Sequence, residues 1–311
     1  MVKKSKSRKK KKNTRKMRER KKRNNKTKRK IKKNNERCSP KKKKQILDYT
    51  CYSKKSLHKI KTIWNIKHPS NAIKSNSPKK IWESLHFILG KTCKKESCWL
   101  RHKCLNENIE LRSLSGDFSP KAPEEWKKNP QEWLTSMEIL EFMKQYEKTY
   151  EEFEFLGPSP IDYDTHKAYG ECVWEELCEF NLKENLKEGK TKIGIIFNTD
   201  PHTEDGEHWV AMFMDLIKGK LYYFDSYGEE IPKQIEKFAN SVINQANSIG
   251  RRKFKLIESR KRHQFSESEC GMYCLYFIIE MLKGKQFSKF NGKKKINDKY
   301  MIKLRKLWFN H

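Results

Sequence analysis

No stretch of the 311-residue chain approaches the ~20 apolar residues that a membrane-crossing helix needs, and the N-terminus lacks the apolar core of a signal peptide. The expectation is a soluble protein with no membrane partner, intracellular or carried inside a particle. Acidic side chains are nearly missing from residues 1–44, where only Glu19 and Glu36 oppose 26 Lys and Arg. This stretch carries +24 of the chain's net +32 and has almost nothing apolar to bury, so it is expected to be a disordered polybasic arm. Counterion release would let such an arm bind DNA or RNA tightly at low salt without sequence preference. A nuclear address and a solubilising arm are its competing readings. Paired cysteines are not evident either. Nine is an odd number, and Cys270 and Cys274 lie one helical turn apart, so no disulfide framework is expected and a reducing environment is assumed.

Beyond residue 44 the charge is nearly balanced, and 8 Trp, 12 Tyr and 16 Phe along the chain are enough for a core. Residues 45–125 read as a Lys-rich linker followed by a small helical, Cys-containing arm module. Ile81, Leu85, Ile88 and Leu89 share one helical face there, with Gly90 as a C-cap. Cys93, Cys98, His102 and Cys104 have the donor types for tetrahedral zinc without a finger spacing; unpaired thiols beside a small core are the plainer reading. The main domain is expected over residues 126–285. Thr135 and Glu138 form a capping box, with Leu134 and Ile139 as a hydrophobic staple, and an amphipathic helix runs on through Phe153. A second helix is expected around Val173, Trp174, Leu177 and Phe180, and a third along Ile235, Phe238, Val242 and Ala246.

Ile193–Phe197 reads as a buried strand, and residues 208–225 as two strands around a turn at Lys218-Gly219. That hairpin returns Asp225 to the edge where His208 begins. Residues 251–258 supply another strand. A polar loop then ends at Cys270, at the head of an unbroken apolar helix, where unpaired N–H groups and the helix dipole bias a thiol toward thiolate. Cys270 is readable as a nucleophile or as a buried structural thiol. Residues 286–311 are expected to form a basic C-terminal helix packed on the domain by Ile302, Leu304, Leu307 and Trp308. Its basic face is plain solvated surface or a second polyanion contact, the former preferred.

A cysteine hydrolase needs a thiolate, a base, a group that orients the base, and oxyanion donors, but no cofactor. Cys270, His208 and Asp225 fill the first three roles, and the Gln264 side-chain N–H with the Cys270 backbone N–H fills the fourth. Each residue alone has a bland reading: His208 as surface or core, Asp225-Ser226 as a turn, Gln264 as a solvated loop residue. His166, His202 and His263 are rival imidazoles, and Asp200 and Asp205 rival carboxylates.

Gly206-x-His208-Trp209, Asp225-Ser226 seventeen residues after the histidine, and Gln264 six residues before Cys270 in Ser268-Glu-Cys-Gly-Met-Tyr273 resemble the ubiquitin-like-protein (SUMO) protease and adenain superfamily of cysteine proteases. The resemblance covers roughly residues 126–285. It implies an α+β fold, a papain-like cysteine protease core in permuted order with a central mixed sheet flanked by helices, and cleavage of protein substrates at Gly-Gly-X sites. It also implies that Trp209 covers the substrate channel and that Trp133-Leu134 opens the domain; Gly271, adding no side chain, would keep the approach open for a substrate glycine. The polybasic arm, the cysteine-containing module and the Asn/Lys-rich composition look most like the virion-packaged proteases of large DNA viruses. That implies cleavage of core or capsid precursors during virion maturation, in the virion and the host cell cytoplasm, or alternatively in the nucleus. A deSUMOylating or other ubiquitin-like-modifier isopeptidase, and a nucleic-acid-binding protein with an inactive protease domain, are the alternatives.

Overall fold

Residues 209–214 are apolar without interruption, so the strand they form can be satisfied only between two packed layers. In the computed structural model, which describes residues 38–42, 45–93, 95–108, 111 and 113–310, that is where it lies. The polybasic arm expected over residues 1–44 falls outside the described residues except for 38–42. The chain divides into two compact units between Ser119 and Pro120, with Asn310 belonging to the first.

The first unit is built on α1 (Lys54–Lys67) and α2 (Pro78–Leu89). Residues 45–80 are not the loose linker expected from their lysines. Leu57, Ile60, Ile63 and Trp64 step by three or four residues, and this stripe is buried with Tyr52, Ile81, Leu85, Leu89, Trp99 and Phe118 in one core. The exposed lysines between them masked the stripe.

The second unit holds the five-stranded mixed sheet, in the order β1 (Phe153–Phe155), β2 (Lys192–Asn198), β3 (Trp209–Asp215), β4 (Lys220–Phe224) and β5 (Lys255–Ser259). The outer pairs β1–β2 and β4–β5 are parallel, and the inner pairs are antiparallel. Along β3, Trp209, Ala211 and Phe213 enter the core on one face, while Val210, Met212 and Met214 enter the core on the other. The second face is covered by α5 (Lys233–Ser248) through Ile235, Phe238, Ala239, Val242 and Ala246.

The first face receives α6 (Cys270–Leu282), buried along its whole length except at Glu280. A helix apolar on every side can exist only inside a core. Around it pack α4 (Ser136–Thr149) and α7 (Asp298–Trp308), with α3 (Lys103–Asn106) belonging to the first unit. Gly194, in the middle of β2, permits the close approach: a Cβ there would lie 2.9 Å from the Phe153 ring and 3.0 Å from Ile278.

The capping box on α4 is present, Thr135 accepting from the helix and Glu138 accepting from the Thr135 backbone N–H at 2.7 Å, an arrangement worth about 1 kcal/mol. The helix stops at Thr149, earlier than its periodicity predicts, because Phe153 and Phe155 pair with β2 instead. Short-range apolar spacing could not distinguish a last helical turn from an edge strand. The second expected helix shrinks to Glu175–Cys178, followed by a separate turn of helix at Leu182–Lys187 that Asn181 caps.

Candidate active site

The β3–β4 register pairs Ala211 with Phe224, so the residues just before β3 and just after β4 share one end of the sheet. His208 and Asp225 meet there, the imidazole Nε2 2.7 Å from Asp225 Oδ1. Asp225 is 1% exposed and also accepts from the Tyr227 N–H at 3.0 Å and the Glu229 N–H at 2.8 Å. Three donors therefore hold the carboxylate, and it in turn fixes the imidazole. With Nε2 committed, Nδ1 is the ring nitrogen left for Cys270, whose side chain also acts on His208. Burial works against a charge on His208, but the hydrogen bonds and charges of Asp225 and Cys270 outweigh it and carry its pKa up to about 9. Tyr227 stacks on the imidazole, ring centroids 4.7 Å apart, and Arg262 lies over the tyrosine ring.

Cys270 is the first residue of α6 and is 2% exposed. Its neighbour Cys274, one turn on, is a different kind of thiol. Burial pushes its pKa well up, and its Sγ donates to the Trp209 carbonyl at 3.2 Å. The residue before the nucleophile candidate, Glu269, is fully buried and paired with Arg305 of α7, Nε to Oε2 3.2 Å. Arg305 also donates to the carbonyls of Ser268 and Glu132 and lies over the Trp126 ring. The C-terminal helix thus presents more than a solvated basic face. Sequence reasoning missed Arg305, although a charge beside Leu304 and one turn after Met301 interrupts an otherwise apolar stripe.

The rival imidazoles are occupied. Both ring nitrogens of His263 bond the backbone, to the Phe290 carbonyl and from the Ile296 N–H. His202 pairs with Asp162 at 2.6 Å, and His166 lies beside Cys172.

Gln264 is fully buried on the loop before Cys270. Its Oε1 accepts from Ser226 Oγ at 2.7 Å; its Nε2 donates to the Ser266 carbonyl at 2.6 Å and toward the Tyr227 hydroxyl at 3.3 Å. One N–H is therefore fixed internally, and the second points to the tyrosine side of the site. Tyr227 was another residue the sequence reading overlooked, although it directly follows Asp225-Ser226.

Trp209 is 7% exposed, its indole N–H held by the Leu134 carbonyl at 2.9 Å. Gly271 has a different local use from the one expected. A Cβ there would lie 3.0 Å from Leu134 Cβ and 3.5 Å from Trp209 Cδ1, so the missing side chain makes room for two of the protein's own residues.

The expectation of no disulfide framework is overturned by Cys38–Cys51 and Cys172–Cys178, and the sulfurs of Cys93 and Cys98 are also brought together, while Cys104, Cys270 and Cys274 stand apart from these pairs. An odd total never excluded three local pairs. Of the zinc candidates Cys93, Cys98, His102 and Cys104, the first two bring their sulfurs together, and His102 Nδ1 lies 3.0 Å from Cys104 Sγ. Among the described residues, the side chains whose metal-ligating atoms do converge are His166, Cys172 and Cys178.

Comparisons with known proteins fit this arrangement. The family model described as YopJ serine/threonine acetyltransferase matches residues 168–307. The chain is 34% identical over 206 residues to a protein provisionally named a thiol protease in Acanthamoeba polyphaga mimivirus, covering 64% of each chain. It therefore spans just under two thirds of that relative. It is 28% identical over 247 residues to a cysteine protease of African swine fever virus, covering 73% of this chain and 88% of the viral one. The crystal structure of the African swine fever virus protease has the same fold, with a TM-score of 0.61 at 22% identity over 88% of this chain and 95% of the other. That span is more than the second unit alone can supply. In sequence the chain is similar to these viral thiol and cysteine proteases, and in fold to the African swine fever virus protease.

Proposed function

We propose that the chain is a cysteine endopeptidase that cleaves after Gly-Gly pairs in precursor proteins of a virus particle, with Cys270 as nucleophile, His208 as proton carrier and Asp225 as its orienting carboxylate. The observation that carries this reading is the 2.7 Å bond between His208 Nε2 and Asp225, made by a ring on which Cys270, at the start of a buried helix, also acts. An imidazole of raised pKa beside the thiol is placed to carry the proton that the reaction moves.

In the first half-reaction Cys270 Sγ attacks the scissile carbonyl and the C–N bond breaks to a thioester. The His208 Nδ1 proton passes to the departing amine. Water then attacks the thioester, giving a proton to His208 and releasing Cys270 as thiolate. The oxyanion of each tetrahedral intermediate is met by the Cys270 backbone N–H and by the second Gln264 Nε2–H, which turns to it from the Tyr227 hydroxyl, worth about 2.7–4 kcal/mol per donor in hydrolases of known mechanism. Trp209 and Leu134, seated over Gly271, narrow the approach to the thiol, which supports a preference for residues without side chains.

The viral origin of the relatives supports a role in virion maturation, in the particle and the host cytoplasm, with the nucleus as the alternative place. The arm of residues 1–44 would hold the enzyme on nucleic acid non-specifically. Two further readings have an observation behind them. African swine fever virus relatives from some isolates are named SUMO-1 cysteine proteases, which favours a ubiquitin-like modifier as substrate. The acetyltransferase family model favours the same acyl-enzyme discharged to a hydroxyl rather than to water.

Gly-Gly-X peptides, SUMO and ubiquitin C-terminal probes and an acetyl-donor assay, run side by side on the wild type, Cys270→Ala and His208→Ala, separate these. Peptide cleavage by the wild type and by neither variant is expected. Cleavage retained in either variant refutes the mechanism, and dependence on a folded modifier replaces the substrate.

A further inference from the structure

Between β1 and β2 the chain makes an excursion that contributes no residue to the site just described. Residues 163–174 form a hairpin, with the Trp174 N–H on the Tyr163 carbonyl, Val173 on Thr165 and Lys167 on Glu171. An antiparallel bridge sets His166 opposite Cys172. The short helix Glu175–Cys178 then returns Cys178 to the same place, so that the ligating atoms of His166, Cys172 and Cys178 all lie within 4.8 Å of one another. His166 Nε2 is 3.8 Å from Cys172 Sγ. A tetrahedral zinc bound at about 2.3 Å by sulfur and about 2.0 Å by nitrogen separates its N and S ligands by about 3.5 Å, so this pair is already close to a zinc geometry.

The three donors open on a cavity of ≈ 450 Å³, lined also by Glu171, Glu175 and Glu179. Three carboxylates beside two sulfurs and an imidazole make a place for a cation.

We propose that His166, Cys172 and Cys178, with a carboxylate of the cavity as fourth ligand, form a zinc site when the cysteines are reduced, and that the Cys172–Cys178 disulfide is the alternative, metal-free state of the same residues. The two states interconvert with a balanced exchange. A dithiol reductant gives two electrons and two protons to the Cys172–Cys178 bond and becomes a cyclic disulfide. The two thiols then lose their protons as Zn²⁺ binds. Two thiolates and an imidazole select zinc over the hard cations calcium and magnesium. The bound ion ties the hairpin to the helix behind it. The same excursion begins at Asp162, which holds both the backbone N–H and the ring of His202 in the segment leading to His208.

The test uses the full chain carrying Cys270→Ala, so that the nucleophile candidate takes no metal. After reduction with a dithiol, it is titrated with Co²⁺, followed by its thiolate charge-transfer absorption, and then with competing Zn²⁺. The parent is expected to bind one more equivalent than Cys172→Ser/Cys178→Ser, and zinc is expected to raise the melting temperature of the parent alone. Cys93→Ser/Cys98→Ser serves as the control and should retain that equivalent. Because replacing Cys178 can disturb its helix, His166→Ala at an exposed position gives a second reading, with at least a tenfold loss of affinity expected. Equal metal content in the parent and Cys172→Ser/Cys178→Ser, or unchanged affinity in His166→Ala, overturns the proposal. So does metal binding that survives oxidation of the pair to the disulfide.

Discussion

Replacing Asp225 by Asn tests the coupling between carboxylate and imidazole most directly, because the new side chain has nearly the same shape. Asp225 Oδ1 accepts from His208 Nε2 and the Tyr227 N–H, and Oδ2 accepts from the Glu229 N–H. An amide has one oxygen to offer, so either Glu229 or the His208–Tyr227 pair faces an NH₂ group. With the oxygen turned to His208 the ring keeps its orientation but loses the charge. Burial, which opposes protonation of this histidine, is then resisted by Cys270 alone. Its pKa should fall from about 9 by one to two units, about 1.4–2.7 kcal/mol.

The sign is fixed by the direction of the shift. A histidine whose folded pKa is raised adds stability that is fully present below about 6.5 and is lost as pH rises through about 9. The alkaline limb of kcat/KM on a Gly-Gly-X peptide reports the same proton. In Asp225→Asn that limb should move down by the same one to two units, and the alkaline fall in melting temperature should be smaller and begin earlier. The drop in kcat is bounded by the roughly 10⁴-fold cost of the same exchange in a Ser-His-Asp triad. Superimposable pH–rate and pH–melting profiles for the two proteins would refute the coupling.

Gln264→Ala should lower kcat by about 10²- to 10³-fold with little change in KM, since its N–H acts on the oxyanion and not on the bound substrate; steady-state kinetics on the same peptide separates the two constants. Arg305→Leu leaves the buried Glu269 carboxylate without its ion partner and should cost about 3–5 kcal/mol, read from the urea midpoint, whereas Arg305→Leu/Glu269→Leu should recover most of it. Deleting residues 1–37, which keeps Cys38 on Cys51, should abolish low-salt DNA binding and its steep salt slope in a fluorescence-anisotropy titration while leaving peptide cleavage intact.

The central hairpin was legible because two apolar runs around a Lys218-Gly219 turn suffice to pair its strands, and that pairing alone brings His208 to Asp225. The start of α6 was legible for a similar reason, an abrupt change from polar loop to unbroken apolar residues. What escaped were features that depend on contacts far apart in sequence. Arg305 is buried only because Glu269 and the carbonyl of Ser268 await it, and neither lies near it in the chain. Phe153 and Phe155 leave their helical stripe for β2, a pairing that local spacing does not encode. Gly271 is explained by Leu134, more than a hundred residues upstream. The Leu57–Trp64 stripe of the first unit was present in the sequence and was hidden by surrounding lysines.

The ion pair between Arg305 and Glu269 also orders events in time. During synthesis, the turn that carries Cys270 leaves the ribosome well before the arginine that clasps it. Until residue 305 has emerged and α7 has docked, Glu269 has no cation to hold it in the interior. The thiol reaches its final surroundings only once Arg305 has docked, so a chain cut or stalled before Arg305 carries the catalytic candidates without their final alignment.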